Sequence, residues 1–125
     1  MTNRRVLLID DEDDIREVAQ LSLEMVARWD VVTASSGAEG VVRATADQPD
    51  VILLDVMMPD LDGQATFLRL QAEPCTRHIP VILLTAKNLD PATDQLARDV
   101  VAIIAKPFDP MRLAGQVSAA LGWAA

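Results

Sequence analysis

The sequence predicts an α/β fold: one five-stranded parallel sheet with helices on both faces. Three observations carry this expectation. Short runs rich in Val, Leu and Ile recur at 6–9, 51–54, 81–84 and 100–105, and they are continuous rather than alternating, as in strands buried on both faces. Between them lie stretches with apolar residues at helical spacing, several opened by helix-start residues. Strands and helices alternating at this spacing form βαβ units with right-handed crossovers, hence a parallel sheet covered on both sides. The 125 residues contain no linker, repeat or low-complexity segment. Residues 1–125 therefore read as a single domain, large enough to bury a core without disulfides.

The first strand runs from Arg5 to Asp10 and ends in acid: Asp10, Asp11, Glu12, Asp13 and Asp14 are consecutive. Five adjacent carboxylates repel one another. The positive end of a helix dipole relieves part of this, and a divalent cation would relieve more. The helix that follows carries Ile15, Val18, Ala19, Met25 and Val26 at helical spacing and is expected to reach about Arg28. The second strand, at 31–34, is the shortest and most polar, which suits an edge. Ser36 and Glu39 form a capping box for a second helix through Val41, Val42 and 44–46, weakened by Gly37 and Gly40. Gln48, Pro49 and Asp50 close it.

The third strand, 51–55, runs straight into Asp55. A third helix starts at Asp62 and Gly63, with Phe67, Leu68 and Leu70 expected inward and Pro74 at its end. The fourth strand, 80–85, ends in the hydroxyl of Thr85. Asp90 and Pro91 are an N-cap followed by proline at the first helical position, opening a short polar helix from Ala92 to about Arg98. The fifth strand, 100–105, ends at Lys106 and Pro107. Asp109 and Pro110 repeat the cap signal, and the last helix carries Leu113, Val117 and Leu121. By apolar character, strands one, three, four and five belong in the centre of the sheet.

Composition narrows the function. A net charge of -8 argues against binding a nucleic-acid backbone, which needs clustered Lys and Arg. The apolar runs are too short to span a bilayer, and the first residues do not form a signal peptide. Cys75 is the single cysteine, so no internal disulfide forms and a cytoplasmic location is expected.

Parallel strands share one carboxyl edge, where open α/β sheets bind ligands. That edge collects Asp10, Asp11, Asp55, Thr85 and Lys106. Carboxylates within reach of one another are hard oxygen ligands that suit Mg²⁺. A lysine and a hydroxyl facing the same cation suit a phosphoryl group, and a carboxylate can accept one as a nucleophile. Singly, each piece has a bland reading: Asp55 as a turn or cap residue, Thr85 as a loop cap, Lys106 as a surface charge. Jointly, every strand end but the second supplies a matching group.

These residues resemble the receiver domain of two-component response regulators. The resemblance rests on Leu8-Ile9-Asp10-Asp11, Leu54-Asp55-Val56-Met57-Met58-Pro59-Asp60-Leu61-Asp62-Gly63, Leu84-Thr85-Ala86 and Lys106-Pro107-Phe108, and it covers essentially the whole chain. It implies a flavodoxin-like sheet of order 2-1-3-4-5. Position by position, it implies that Asp55 is the phosphoacceptor and that Asp10, Asp11 and Asp55 bind Mg²⁺ (or Mn²⁺), with Asp10 and Asp11 the acid pair that holds it and Asp11 the more direct ligand of the two. The Met57 backbone carbonyl would be a further metal ligand. Lys106 would bind the phosphoryl group, Thr85 would be the switch hydroxyl, and the Ala86 amide would turn towards the phosphate. The implied partners are a sensor histidine kinase or histidine phosphotransfer protein and an unknown downstream protein, with the chain a monomer or weak homodimer. No output domain follows the last helix in this sequence, so signalling is expected through protein contacts.

Two positions depart from the pattern: Ile103 stands where many receivers have Tyr or Phe, and Asp99 where Gly is usual. A Mg²⁺-dependent phosphohydrolase with an aspartyl-phosphate intermediate is the alternative. Such enzymes often carry a second acid two residues after the nucleophile, and here that residue is Met57. A scaffold that binds partners without phosphorylation is a third reading, opposed by the intact acids, Thr85 and Lys106. His78 and Cys75 read as surface and loop residues. Trp29, Trp123, Phe67 and Phe108 read as packing.

Overall fold

Five parallel strands lie in the order β2-β1-β3-β4-β5. They are β1 (Arg5–Ile9), β2 (Asp30–Ala34), β3 (Val51–Asp55), β4 (Val81–Thr85) and β5 (Ala102–Ala105). The computed structural model describes residues 4–56, 63–85 and 98–123. Its helices are α1 (Asp13–Ser22), α2 (Gly37–Asp47), α3 (Gly63–Ala72) and α4 (Pro110–Leu121). The short helix expected at 92–98 falls almost wholly outside the described residues. No described helix is long and apolar enough to cross a membrane.

Alternate residues of β1, β3 and β4 feed two cores. Leu7, Ile9, Ile52, Leu54 and Leu83 pack with Phe67 and Leu70 of α3 and Ala44 of α2. Val6, Leu8, Leu53, Ile82 and Leu84 pack with Ala19 of α1 and Leu113 and Val117 of α4. Full burial of each such Leu or Ile contributes about 1.5–3 kcal/mol, which is why the continuous apolar runs become inner strands. Ile9 pairs with Leu54, Asp55 with Leu84, and Thr85 with Ala105. That register sets Asp10 beside Asp55 and places Lys106 one residue beyond Thr85.

Two glycines let helices approach these strand ends. A Cβ on Gly40 would lie 2.4 Å from Ile9 Cδ1; the residue that weakens α2 as a helix is what lets α2 lie close on β1. A Cβ on Gly63 would lie 2.6 Å from the Val56 Cα, and the Gly63 amide donates to the Val56 carbonyl at 3.0 Å. The start of α3 is thereby seated on the chain leaving Asp55.

Several expectations are corrected. β5 is an edge strand, not a central one, with only Ile104 fully buried and Ile103 exposed. Apolarity alone does not separate an edge strand from an inner one. The first helix leaves α geometry after Ser22 and continues as a π-helical turn, Leu23–Ala27, ended by Arg28 at φ 59°. Ala19 and Leu23, one helical turn apart, face the sheet; Val18, Met25 and Val26 are exposed, and Ala19 is the one expected residue fully buried. In α3, Phe67 and Leu70 are buried, but Leu68, about 100° further round the helix, is exposed.

The cap of α2 holds with a shift: Ser36 Oγ accepts from the Glu39 amide, while Glu39 Oε1 accepts from the Ser35 amide rather than that of Ser36. Asp109 caps α4 by accepting from the Met111 amide. The non-glycine residues with positive φ among those described are Arg28 and Gln48, so the turn at Asp99 does not require glycine. Trp29 and Trp123 pack edge-to-face at 5.2 Å, with the Arg4 guanidinium 4.4 Å from the Trp123 ring. Cys75 and His78 are exposed.

Candidate functional site

β1 delivers Asp10 to the carboxyl edge fully buried, and four hydrogen bonds hold it. Its amide donates to the Ala34 carbonyl at 3.1 Å, and its carbonyl accepts from Arg16 Nη1 at 2.8 Å. Its Oδ1 accepts from the Glu12 amide at 2.9 Å, and its Oδ2 accepts from Lys106 Nζ at 2.8 Å. β3 delivers Asp55, 2% exposed, whose Oδ1 lies 3.2 Å from the same Lys106 nitrogen. Glu12 Oε1, more exposed, is 3.8 Å from it. The Lys106 amide donates to the Thr85 carbonyl at 2.7 Å, which ties the chain leaving β5 to the end of β4, where Thr85 is buried.

Asp11 differs from its neighbour. It is half-buried, and its Oδ1 is a buried oxygen that accepts no hydrogen bond from the described residues. One oxygen each from Asp10, Asp11 and Asp55 lies within 4.8 Å of the others. Three carboxylates face one ammonium here, and buried like charges are costly unless compensated. A divalent cation fits this set: the donors are hard oxygens, one of them is unsatisfied, and negative charge is in excess.

The electrostatics of Lys106 reflect the same crowding. Burial by itself lowers the pKa of its ammonium. The hydrogen bond to Asp10 and the charges of Asp55 and Asp10 outweigh that effect and hold the pKa above the ordinary 10.5. Lys106 therefore stays charged across the physiological range.

The structure thus brings together Asp10, Asp11, Asp55 and Lys106, with Thr85 on the adjoining strand end. The Met57 carbonyl and the Ala86 amide lie outside the described residues. Two contributors were not read from the sequence: the Glu12 amide and Arg16. A backbone donor leaves no mark in residue identity. Arg16 does leave one, as a lone base three residues after Asp13 on a helix that opens with acids, a spacing at which helical side chains meet.

The sheet order and the parallel strands make this a doubly wound α/β protein, a class whose ligand sites lie at the carboxyl edge, and that is the edge where these carboxylates and the ammonium converge. Residues 6–118 match the family model of the response regulator receiver domain. The chain is 37% identical over 121 residues to the alkaline phosphatase synthesis transcriptional regulatory protein PhoP of Bacillus subtilis, covering 95% of this chain and 49% of PhoP. It is 40% identical over 118 residues to the response regulator PleD of Caulobacter vibrioides, covering 90% of this chain and 25% of PleD. The chemotaxis protein CheY4 of Vibrio cholerae superposes with a TM-score of 0.86 at 26% identity, covering 95% of this chain and 99% of CheY4. This chain belongs to the response regulator receiver domain family, and it spans half or less of the length of these two sequence relatives.

Proposed function

We propose that residues 1–125 are one receiver domain that accepts a phosphoryl group on Asp55 from a histidine kinase or histidine phosphotransfer protein and signals through protein contacts. The observation that carries this reading is the convergence of Lys106 on Asp10 and Asp55 beside the open Oδ1 of Asp11. An Asp55 oxygen attacks phosphorus as the phosphorus–nitrogen bond to the donor histidine breaks. Lys106 is placed to pair with the incoming phosphoryl oxygens, trading part of its contact with Asp55 for them. Asp10, Asp11, Asp55 and the Met57 carbonyl would hold Mg²⁺, which when bound supplies neutralising positive charge to the reacting oxygens. Thr85 would answer the new charge with a hydrogen bond worth about 1.5–3 kcal/mol, joined by the Ala86 amide, and so bias the loop after β4. The domain is a signalling element rather than a turnover enzyme: Met57 stands where a second catalytic acid would be needed.

The test is incubation with acetyl phosphate and Mg²⁺ followed by intact-mass spectrometry. The expected result is one added phosphoryl group, lost in Asp55→Asn because an amide is a far weaker nucleophile than a carboxylate. Labelling that survives in that variant refutes the assignment.

A further inference from the structure

Arg16 takes no part in the chemistry proposed above, yet it grips the site. Its side chain, 20% exposed, sits in the first turns of α1. Nη2 donates to Asp13 Oδ1 and Nη1 to the Asp10 carbonyl. The Asp13 side chain is 85% exposed, and an ion pair with so open a partner contributes little. The bond to the Asp10 carbonyl is the informative one. That oxygen belongs to the peptide joining Asp10 to Asp11, and a peptide is planar. Fixing its oxygen restrains one of the two peptides that flank the Asp11 Cα; the bond from the Glu12 amide to Asp10 Oδ1 restrains the other, and the two together set the direction in which the Asp11 side chain leaves the backbone. Both carboxylate oxygens of Asp10 are held by hydrogen bonds of their own. Asp11 Oδ1 has none from the described residues, so its aim depends more heavily on the backbone.

We propose that Arg16 is a positioning residue for the cation site: by holding the Asp10 carbonyl it aims the Asp11 carboxylate into the acid cluster. This rests on the reading of Asp10, Asp11 and Asp55 as a divalent-cation site. Charge and position make opposite predictions here. A guanidinium beside a cation site repels the cation, so if charge were all that mattered, removing Arg16 would tighten binding. If position matters more, removing it weakens binding. Lysine is no substitute, because a single ammonium lacks the planar fork that reaches both Asp10 and Asp13.

The experiment titrates the whole chain with Mg²⁺ by calorimetry, with folding checked by circular dichroism and urea denaturation. Arg16→Ala and Arg16→Lys are expected to bind Mg²⁺ about tenfold more weakly, the scale of losses seen when a residue behind a metal ligand is removed. The Asp11 amide resonance is expected to shift in both variants before any metal is added. Affinity in Arg16→Ala equal to or tighter than that of the unaltered chain overturns the proposal. If Arg16→Ala does not fold, the same criterion applies to Arg16→Lys. Asp11→Ala separates the two levels: unchanged Mg²⁺ affinity in that variant sinks the cation-site reading itself, whatever Arg16 does.

Discussion

At the amino edge of the sheet, Arg5 meets the carboxylates of Asp30 and Asp50 and the backbone carbonyl of Asp47; at the carboxyl edge, Asp10, Asp11 and Asp55 gather near Lys106. Acids and a base converge at both edges, but the environments differ. Arg5 and Asp30 have side chains 45% and 52% exposed. Arg5 spreads its bonds over separate atoms: Nε to Asp30, Nη1 to the Asp47 carbonyl, and its backbone amide to Asp50. Lys106 is 13% exposed and directs a single nitrogen at the buried carboxylates of Asp10 and Asp55. A charge pair about 4 Å apart is worth about 1 kcal/mol in water and about 4 kcal/mol at the effective dielectric of a protein site. The amino edge is accordingly a set of fastenings for β1, β2 and the entry to β3. Among the described residues only the carboxyl edge brings three carboxylates within reach of one ion. Burial and convergence, rather than the number of acids, distinguish a site from a decorated surface.

The sharpest way to break this contrast is to remove each base in turn. Lys106→Met leaves buried carboxylates without their cation, and a loss of about 3–5 kcal/mol is expected by urea denaturation. Added Mg²⁺ should restore part of that loss. A Lys106→Met domain as stable as the unaltered one would show that the acids are hydrated after all. Metal affinity draws the contrast next. Asp11→Ala should weaken Mg²⁺ binding by about tenfold or more, while Asp47→Asn, at the other edge, should leave it unchanged in the same calorimetric titration.

A smaller effect follows from the raised pKa of Lys106. A group whose pKa is higher folded than unfolded contributes its stability in full below the unfolded value, about 10.4 for lysine. That contribution is lost as the pH rises through the higher folded value. The urea midpoint should therefore fall at alkaline pH in the unaltered chain. In Lys106→Met this part of the fall should be missing, and parallel curves for the two would remove Lys106 as the cause. The smallest change is expected at Arg5→Met, about 1 kcal/mol or less, because exposed ion pairs contribute little; a loss comparable to that of Lys106→Met would erase the distinction between the edges.

Much of this was legible in the order of residues. The runs at 6–9, 51–55 and 81–85 read as inner strands, and β1, β3 and β4 are buried almost throughout. The polar second strand read as an edge, and it is one. Asp10, Asp11, Asp55 and Lys106 were legible because each stands at or beside the end of an apolar run, and parallel strands bring such ends to one side. Apolar character misplaced β5, which the order 2-1-3-4-5 implied by the family resemblance had at the edge where it lies, and the inward faces of α1 and α3 were not legible. Val18, Met25, Val26 and Leu68 are as apolar as Leu23 and Leu70, and only packing decides which of them meets the sheet. Arg16 was overlooked because its partner is a carbonyl, which every residue possesses.

By itself, the sequence determined the class of fold, the strands that fill its centre and the identity of the groups at its carboxyl edge, because apolar runs must leave water and each one carries its terminal residue with it. Tertiary structure alone decided that Lys106 reaches Asp10 across 96 residues of chain, that a buried oxygen of Asp11 accepts no hydrogen bond from the described residues, and that the Arg5–Asp30 pair at the other edge stays half-exposed. Those outcomes depend on register, burial and direction in three dimensions. A charge has the same identity at either edge, and its surroundings determine its energy.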